Sequence, residues 1–420
     1  MELSLPLPVA YVLGRLEEKG YAAYAVGGCI RDRLLNREPN DWDIACSALP
    51  QEISAVFSGK ARILPTGLQH GTVTLLLEGW QIEATTFRID GPYTGHRRPE
   101  QVSFTDDIEK DLARRDFTIN AMAYSPLRGF ADPFGGQEDL KRGRLRCVGA
   151  PVQRFTEDAL RILRAVRFLA QLGFSPEERT RRAIFSEREL LRAVSAERLT
   201  AETGKLLCAL NAEKVLREYR EVLAVFLPEI ERAEGESWEC ILRAIGRLPA
   251  CLPLRLAALI SFAAGGEDMK ENARCADSAL RRLHYDNRTR ETVDFLIENR
   301  EAPVLETALS VRRWLCRAGE ERFFSLLSLR RAFSLEDMAA LEALDEAERL
   351  ARDAIRQGMP LSPGELAVGG SDLLCLGVLA GPQVGQLLRL LHERVIEGSC
   401  ENSREALLHL LEREGWLQSD

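Results

Sequence analysis

Two aspartates one residue apart, Asp41 and Asp43 in Asn40-Asp41-Trp42-Asp43-Ile44, are the first side chains whose spacing suggests chemistry. On a strand, residues i and i+2 point to the same side, so both carboxylates would aim at one point. Like charges that close repel unless a cation lies between them, and hard oxygen donors beside phosphates favour Mg²⁺. About a dozen residues earlier, Tyr24-Ala25-Val26-Gly27-Gly28-Cys29-Ile30-Arg31-Asp32-Arg33-Leu34-Leu35 reads as a strand, a double-glycine turn and a helix. Such a turn lets the backbone approach an anion closely, and Arg31, one turn into the helix, adds a charged fork. Taken singly, each motif also has a plainer reading, as a tight turn or as a pair of solvated aspartates.

Three further stretches add to these. Glu83 lies within the second of two strand-like runs, TVTLLLE and QIEATTF, which flank Gly79-Trp80 as a hairpin. A mid-strand carboxylate on a buried face needs a partner, and a shared cation with Asp41 and Asp43 would supply one; a Glu facing solvent is the other reading. The run Asp111-Leu112-Ala113-Arg114-Arg115-Asp116-Phe117-Thr118-Ile119-Asn120 sets Arg115 to hold a triphosphate and Asp116 and Asn120 to organise a sugar or the backbone. Asp116 is also placed to cap a helix. Finally, Glu157-Asp158-Ala159-Leu160-Arg161-Ile162-Leu163-Arg164-Ala165-Val166-Arg167-Phe168 has helical periodicity. Glu157, Arg161 and Arg164 fall on one face, Asp158 and Arg167 lie at its margins, and the apolar residues lie opposite. A solvated, salt-bridged face is the usual meaning of such a pattern.

These residues sit on two kinds of scaffold. Before residue 150, strand-like and helical runs alternate; after it, nearly everything is helical and rich in Leu, Arg, Glu and Ala. An α/β head followed by an all-helical remainder is the expected organisation. With 420 residues, 45% apolar and 29% charged, the chain is neither disordered nor too short for large cores. No run reaches the ~18 apolar residues that a membrane span needs. The N-terminal stretch reads as an amphipathic helix rather than a signal peptide. Ten scattered cysteines without a C-x-x-C pair point to a reducing cytoplasm and away from a zinc site. Residues 151–207 carry 11 basic and 8 acidic side chains, whereas 208–420 carry 27 and 36. The one basic segment is therefore short and central.

In this order, the stretches GGCIRDRLL, NDWDIA, IEATTFR, RRDFTINAMA, DPFGGQEDL and EDALRILRAVRF resemble the bacterial class II tRNA nucleotidyltransferases. That family includes CCA-adding, CC-adding and A-adding enzymes and bacterial poly(A) polymerases. VSAERLTAETGKLL (194–207) is similar to the end of the family's neck, and residues 369–398 resemble the tail of Gram-positive-type CCA-adding enzymes. The chain departs from the family pattern at Gly95, where an acidic residue is expected in the loop from Ile89 to Val102. The resemblance implies an α+β head of the DNA polymerase beta nucleotidyltransferase type, a mixed sheet plus helices, followed by an all-α neck, body and tail. The implied limits are 1–150 for the catalytic head, 151–207 for the neck, 208–310 for the body and 311–420 for a tRNA-binding tail.

The same resemblance implies that Asp41 and Asp43 hold two Mg²⁺ ions, assisted by Glu83. Gly27, Gly28, Arg31 and Arg115 would position the triphosphate of CTP or ATP. Asp158 and Arg161 would face the base, with Glu157, Arg164 and Arg167 nearby. Hydrogen-bond inventory agrees. Cytosine and adenine each set an amine donor beside a ring-nitrogen acceptor, which a carboxylate and a guanidinium complement. Uracil and guanine put a carbonyl where the amine should be, at about 1–3 kcal/mol per mismatched contact. The loop from Ile89 to Val102, which carries Gly91, Pro92, Gly95 and Pro99, is expected to be mobile and to reshape the pocket between C and A addition. The expected activity is template-independent addition of C, C and A to tRNA in the cytoplasm, with no membrane partner. CC-only or A-only addition, poly(A) synthesis, a small-molecule nucleotidyltransferase and a non-catalytic tRNA-binding protein are the alternatives. The length of the helical extension speaks against a small-molecule substrate, the net acidic C-terminal half against a poly(A) polymerase, and the retained aspartate pair against a non-catalytic module.

Overall fold

A mixed seven-stranded sheet carries the aspartates. In the computed structural model, which describes residues 3–64, 67, 71–91, 93–94, 98–99, 101–302, 307–334 and 337–416, the strands follow one another as β1 (Ala23–Val26), β2 (Trp42–Cys46), β3 (Arg62–Leu64), β4 (Thr72–Leu77), β5 (Trp80–Thr86), β6 (Arg88–Asp90), β7 (Tyr93–Thr94), β8 (Arg98–Pro99), β9 (Val102–Phe104), β10 (Ala123–Ser125) and β11 (Gly129–Ala131). The large sheet has the order β11-β10-β1-β2-β5-β4-β3. Within it β2 and β5 run parallel, and the other neighbours are antiparallel.

Strand alternation splits the sheet into two faces. Ile44, Val73, Leu75, Ile82 and Ala84 are fully buried. This apolar set is covered by helices α1 (Leu7–Glu18) and α3 (Pro50–Phe57), which flank α2 (Gly28–Leu34) in the chain. The opposite face is covered only in part. Tyr24, Val26 and Ala45 pack there with Phe87, Leu112, Ala121, Ala123 and Val148. Leu112 comes from α4 (Ile108–Ala113). The uncovered end of that face carries the acidic residues. Glu78 and Gly79, both with positive φ (49° and 82°), make the two-residue turn of the β4–β5 hairpin. The turn thus lies one residue earlier than expected, and Trp80 opens β5.

The segment expected to be a mobile loop carries two short ladders among its described residues. β6 and β9 form an antiparallel ladder, Arg88↔Phe104 to Asp90↔Val102, and beyond it Tyr93↔Pro99 and Thr94↔Arg98 pair. β-branched and aromatic residues at the base override the Gly and Pro turn signals there. Gly95, His96 and Arg97, with the departure from the family pattern, lie outside the described residues.

The sheet and the helices after it belong to one compact unit, residues 1–231 with 282–284. Its helices continue with α5 (Gly136–Lys141), α6 (Pro151–Glu157), α7 (Leu160–Leu172), α8 (Glu178–Ser186), α9 (Ala196–Leu207) and α10 (Ala212–Ala224). α7 packs on both α9 and α10. Residues beyond 150 are not purely helical. Ser175–Pro176 pairs in parallel with Arg144–Leu145. The helix expected across 157–168 is also interrupted. Asp158 is extended (φ −139°, ψ 103°) between α6 and α7. Its side chain accepts the Leu160 N–H at 3.2 Å, the local competition with helical backbone that makes Asp a poor interior helix residue.

The second unit, residues 232–281 with 285–420, is helical among its described residues. It comprises α11 (Glu236–Arg247), α12 (Leu252–Leu259), α13 (Met269–Arg282, all but its last residue), α14 (Asn287–Glu298), α15 (Ala308–Ala318), α16 (Glu320–Phe333), α17 (Met338–Arg356), α18 (Gly370–Cys375), α19 (Pro382–Ile396) and α20 (Arg404–Arg413). Val311, Leu315, Phe323, Leu327, Leu344, Ala347 and Ala351 form one of its cores; Leu373, Leu387, Leu391, Leu407 and Leu411 contribute to another. Among the described residues, no helix is long and apolar enough to cross a membrane.

Candidate active site

Asp43 leaves the buried row of β2 toward solvent, and Asp41 lies just before the strand rather than on it. The parallel register sets Asp43 directly beside Glu83. Neighbours in such a register share a face, so Glu83 joins the aspartates rather than the core. No Lys, Arg or His nitrogen lies within 4 Å of any of the three among the described residues. Crowding by protein atoms, with the charge of Asp41 added and that of Arg115 opposing, holds the Asp43 carboxyl above its ordinary pKa. Partial burial, Asp43 and Asp41 do the same to Glu83.

The double-glycine turn stands beside this edge. Gly27 adopts φ 80° and donates its N–H to Met122 O at 3.0 Å. A Cβ on Gly27 would come within 2.8 Å of Arg115 Nη1, so the position needs glycine both for its backbone and for the guanidinium beside it. Arg115 is steered by Asp111, 3.3 Å away. Burial alone would raise the Asp111 carboxyl, but Arg115 and Arg114 outweigh it and keep it below its ordinary value. Arg31 donates to Asn120 Oδ1 at 2.7 Å and to Asp32. The Cys29 thiol is pushed up to about 12 by burial, which removes it as a nucleophile.

Asp116 does not cap the short 3₁₀ turn Thr118–Asn120, whose preceding residue is Phe117. It accepts from Phe117 N and Asn120 Nδ2 through one oxygen and from Arg164 at 2.8 and 2.6 Å through the other. Those donors are spread over the turn and α7, and they hold the carboxylate too firmly for a cap. Although burial raises its pKa, Arg164, Asn120 and Arg161 hold the Asp116 carboxyl well below the usual range.

The guanidiniums of the central helix are anchored rather than solvated. Arg161 donates to Glu157 Oε2 (2.8 Å), Arg154 O (3.3 Å) and Arg114 O (2.9 Å). Arg167 pairs with Glu202 of α9. Arg31, Arg164 and Arg167 lie 5.1, 5.5 and 3.9 Å from the centre of the Phe168 ring. A solvated face of alternating charge is therefore not what this helix presents.

One cavity of about 420 Å³ is lined by Gly27, Gly28, Arg31, Asp43, Arg115, Asp116, Asn120, Asp158, Arg161 and Arg164. Arg114, Leu160, Phe168 and Arg198, which the sequence did not single out, complete it. A second cavity of about 590 Å³ shares Gly28, Arg31 and Asp43 and is lined further by Asp41 and Arg167. Glu157 lies outside both and braces Arg161; Glu83 lines neither. Backbone N–H groups, guanidiniums and the open Asp43 around one void, with Asp41 in the cavity beside it, suit a polyanionic ligand with a base-sized end.

Comparison with known proteins agrees with this geometry. Residues 23–146 match the family model described as the poly A polymerase head domain, residues 173–234 that described as "Probable RNA and SrmB- binding site of polymerase A", and residues 268–411 a tRNA nucleotidyltransferase domain 2. The CCA-adding enzyme of Lactobacillus delbrueckii subsp. bulgaricus is 37% identical over 408 residues, 95% of this chain and 96% of the relative. That of Geobacillus thermodenitrificans is 37% identical over 404 residues, 94% of each. The crystal structure of the Bacillus stearothermophilus CCA-adding enzyme in complex with CTP matches with a TM-score of 0.72 and 31% identity, covering 98% of both chains. The chain belongs to the family of CCA-adding enzymes.

Proposed function

We propose that the chain adds C, C and A in turn to the 3′ end of tRNA, taking CTP and ATP, releasing pyrophosphate and using no nucleic-acid template. The observation that carries this reading is the single cavity in which Asp43, the double-glycine turn and Arg115 meet Asp158 and Arg161. The CTP complex of the Bacillus stearothermophilus relative and the names of the curated relatives support it. The family models over 173–234 and 268–411 support RNA as the acceptor. In this reading 1–150 is the catalytic head, 151–207 the neck that reads the base, 208–310 the body and 311–420 a tail that grips tRNA. Ten free cysteines suit a reducing cytoplasm.

The donor set fits Mg²⁺. Asp41 and Asp43 are open, unpaired, hard-oxygen donors, and the charge of Asp41 disfavours that of Asp43 unless a cation intervenes. Among the described residues no three acidic, histidine or cysteine side chains stand close enough to bind a metal alone. That suits an ion that takes one or two carboxylates and completes its shell with phosphate oxygens and water. We assign two such ions to Asp41 and Asp43, with Glu83 drawing on the same charge. Bound there, Mg²⁺ supplies positive charge to the reacting phosphate and lowers the pKa of the attacking hydroxyl.

The protein's own groups do the rest. Gly27 and Gly28 let the backbone approach the triphosphate, and Arg31 and Arg115, fixed by Asn120 and Asp111, orient it. Asp116 fixes Arg164 beside the sugar end of the cavity. Asp158 accepts the amine of cytosine or adenine, and Arg161, its plane fixed by three acceptors, donates to the ring nitrogen. A run-off assay tests the whole: tRNA ending at its discriminator base, with CTP alone, ATP alone or both. Two additions with CTP and a third with both are expected. A stop after two C residues makes the chain a CC-adding enzyme, extension by A alone makes it a poly(A) polymerase or an A-adding enzyme, and no extension removes the enzymatic reading.

A further inference from the structure

Asp158 sits in an extended residue between two helices, so no helical backbone fixes its direction. Two contacts do. One carboxylate oxygen accepts the Leu160 N–H at 3.2 Å, and the other lies 2.8 Å from Arg198 Nη2 on α9. Arg198 lines the same cavity as Asp158. Its remaining terminal nitrogen, Nη1, is buried and has no hydrogen-bond partner among the described residues. One turn further along α9, on the same face, Glu202 holds Arg167 and lies 3.7 Å from Arg164. α9 therefore reaches the nucleotide-facing wall at two points, a carboxylate at one and guanidiniums at the other.

An acceptor discriminates between bases only if it stays aimed. A freely rotating carboxylate could turn away from the base and lose its preference for an amine. A charge-assisted hydrogen bond from Arg198 Nη2 to one carboxylate oxygen, with the Leu160 N–H on the other, opposes that rotation. We propose that Arg198 is a positioning residue for base choice: it holds the Asp158 carboxylate oriented, so that amine-bearing bases are accepted and carbonyl-bearing ones refused. This rests on the assignment of Asp158 as the base-reading acceptor.

The test compares kcat/KM for CTP and UTP on tRNA lacking its terminal CCA. The proteins are the wild type, Arg198→Met, Arg198→Lys, Asp158→Ala and the double variant Asp158→Ala/Arg198→Met, with thermal midpoints measured alongside. Arg198→Met is expected to reduce the CTP:UTP preference about tenfold, and Arg198→Lys, which keeps the charge, to retain most of it. In the Asp158→Ala background, Arg198→Met should change the preference by less than about twofold, because two residues acting through one contact are not additive. An unchanged preference in Arg198→Met overturns the proposal. So does an equal fall in both nucleotides' kcat/KM, which is what loss of a purely structural contact gives. The same change with and without Asp158 also overturns it. If Arg198→Met does not fold, Arg198→Ala in the two backgrounds decides by the same criteria. Asp158→Ala with a wild-type preference overturns the base-reading assignment itself, and does so without reference to Arg198.

Discussion

The site is flanked by two acidic walls built on opposite principles, of which only Asp43, Asp116 and Asp158 line the cavity beside the double-glycine turn. On the sheet side, Asp41, Asp43 and Glu83 stand close together without a cationic side chain within 4 Å among the described residues, and the Asp43 and Glu83 carboxyls lie above their ordinary pKa. On the helical side, every carboxylate is clamped: Asp111 by Arg114 and Arg115, Asp116 by Arg164, Glu157 by Arg154 and Arg161, Asp158 by Arg198, Glu202 by Arg167. Asp111 and Asp116 accordingly lie below the ordinary value. The first wall leaves its negative charge unpaired by protein groups, as the proposed Mg²⁺ ions would require. The second spends its charge internally, to hold arginines and one aspartate in fixed orientations. On the proposed reading the same residue type serves as ligand in one place and as scaffold in the other, and ion pairing tells them apart.

The largest effect should come from the unpaired wall. Asp41→Ala or Asp43→Ala is expected to lower single-turnover incorporation by three orders of magnitude or more, about 4 kcal/mol of barrier, while tRNA affinity stays near wild type. Quench-flow incorporation with filter-binding affinity measures both. Near-normal turnover in either variant would break the contrast at its strongest point.

The paired wall should respond in stability instead. Asp116→Ala strands Arg164, Asn120 Nδ2 and the Phe117 N–H, with Asp116 itself only 8% exposed. Breaking a buried pair of this kind costs about 3 kcal/mol, readable as a fall in the denaturant midpoint at unchanged m-value. The pH dependence has a definite sign. A carboxyl whose folded pKa is depressed contributes stability that is present above its ordinary value of 3.8 and is lost as pH falls through the folded value. In acid the wild type should therefore lose its advantage over Asp116→Ala. Asp158→Ala should be milder still in stability and be felt in choice: UTP use is expected to rise about tenfold relative to CTP, since both the favourable amine contact and the mismatch with a carbonyl disappear. A merely slow enzyme with an unchanged ratio would move base reading elsewhere.

The aspartate pair and the double-glycine turn of the unpaired wall were legible in the sequence because they are close along the chain, and the head-then-helices order follows from the change of period near residue 150. Glu83 lies 40 positions beyond Asp43, and its side of the strand was left open until the parallel register set it beside Asp43. The paired wall was legible only in part. Arg161, Arg164 and Asp116 were visible, but their clamps join residues 40 to 50 positions apart, as in Arg198 with Asp158 and Arg164 with Asp116. No helical wheel registers such pairs. The wheel also assumed an unbroken helix over 157–168 and so turned Glu157 toward the cavity, whereas the extended Asp158 turns it away to brace Arg161. Phe168 was not singled out, although the wheel places it on the charged face between Arg164 and Arg161, where its ring centre lies within 6 Å of three guanidiniums.

The smallest expected effect is also the one that most directly separates the two walls. If Asp43 is held unpaired for a ligand, the free protein is less stable for it. A carboxyl with a raised folded pKa contributes stability that is fully present below its ordinary value of 3.8 and is lost as pH rises through the folded value. At neutral pH the ionised Asp43 therefore costs stability, through crowding and through Asp41, with Arg115 opposing. Asp43→Asn keeps the shape, removes the charge and should raise the thermal midpoint at pH 7. The side chain is open to solvent, so screening limits the gain to under about 1 kcal/mol. As pH falls below the ordinary value of 3.8 the gain should vanish, because the wild-type carboxyl is then neutral in both the folded and the unfolded state. Added Mg²⁺ should raise the midpoint of the wild type more than that of Asp43→Asn, since only the former offers both charges to the ion. A loss of stability in Asp43→Asn at pH 7 would mean that this aspartate, too, is clamped by the fold, and the distinction between the two walls would fail.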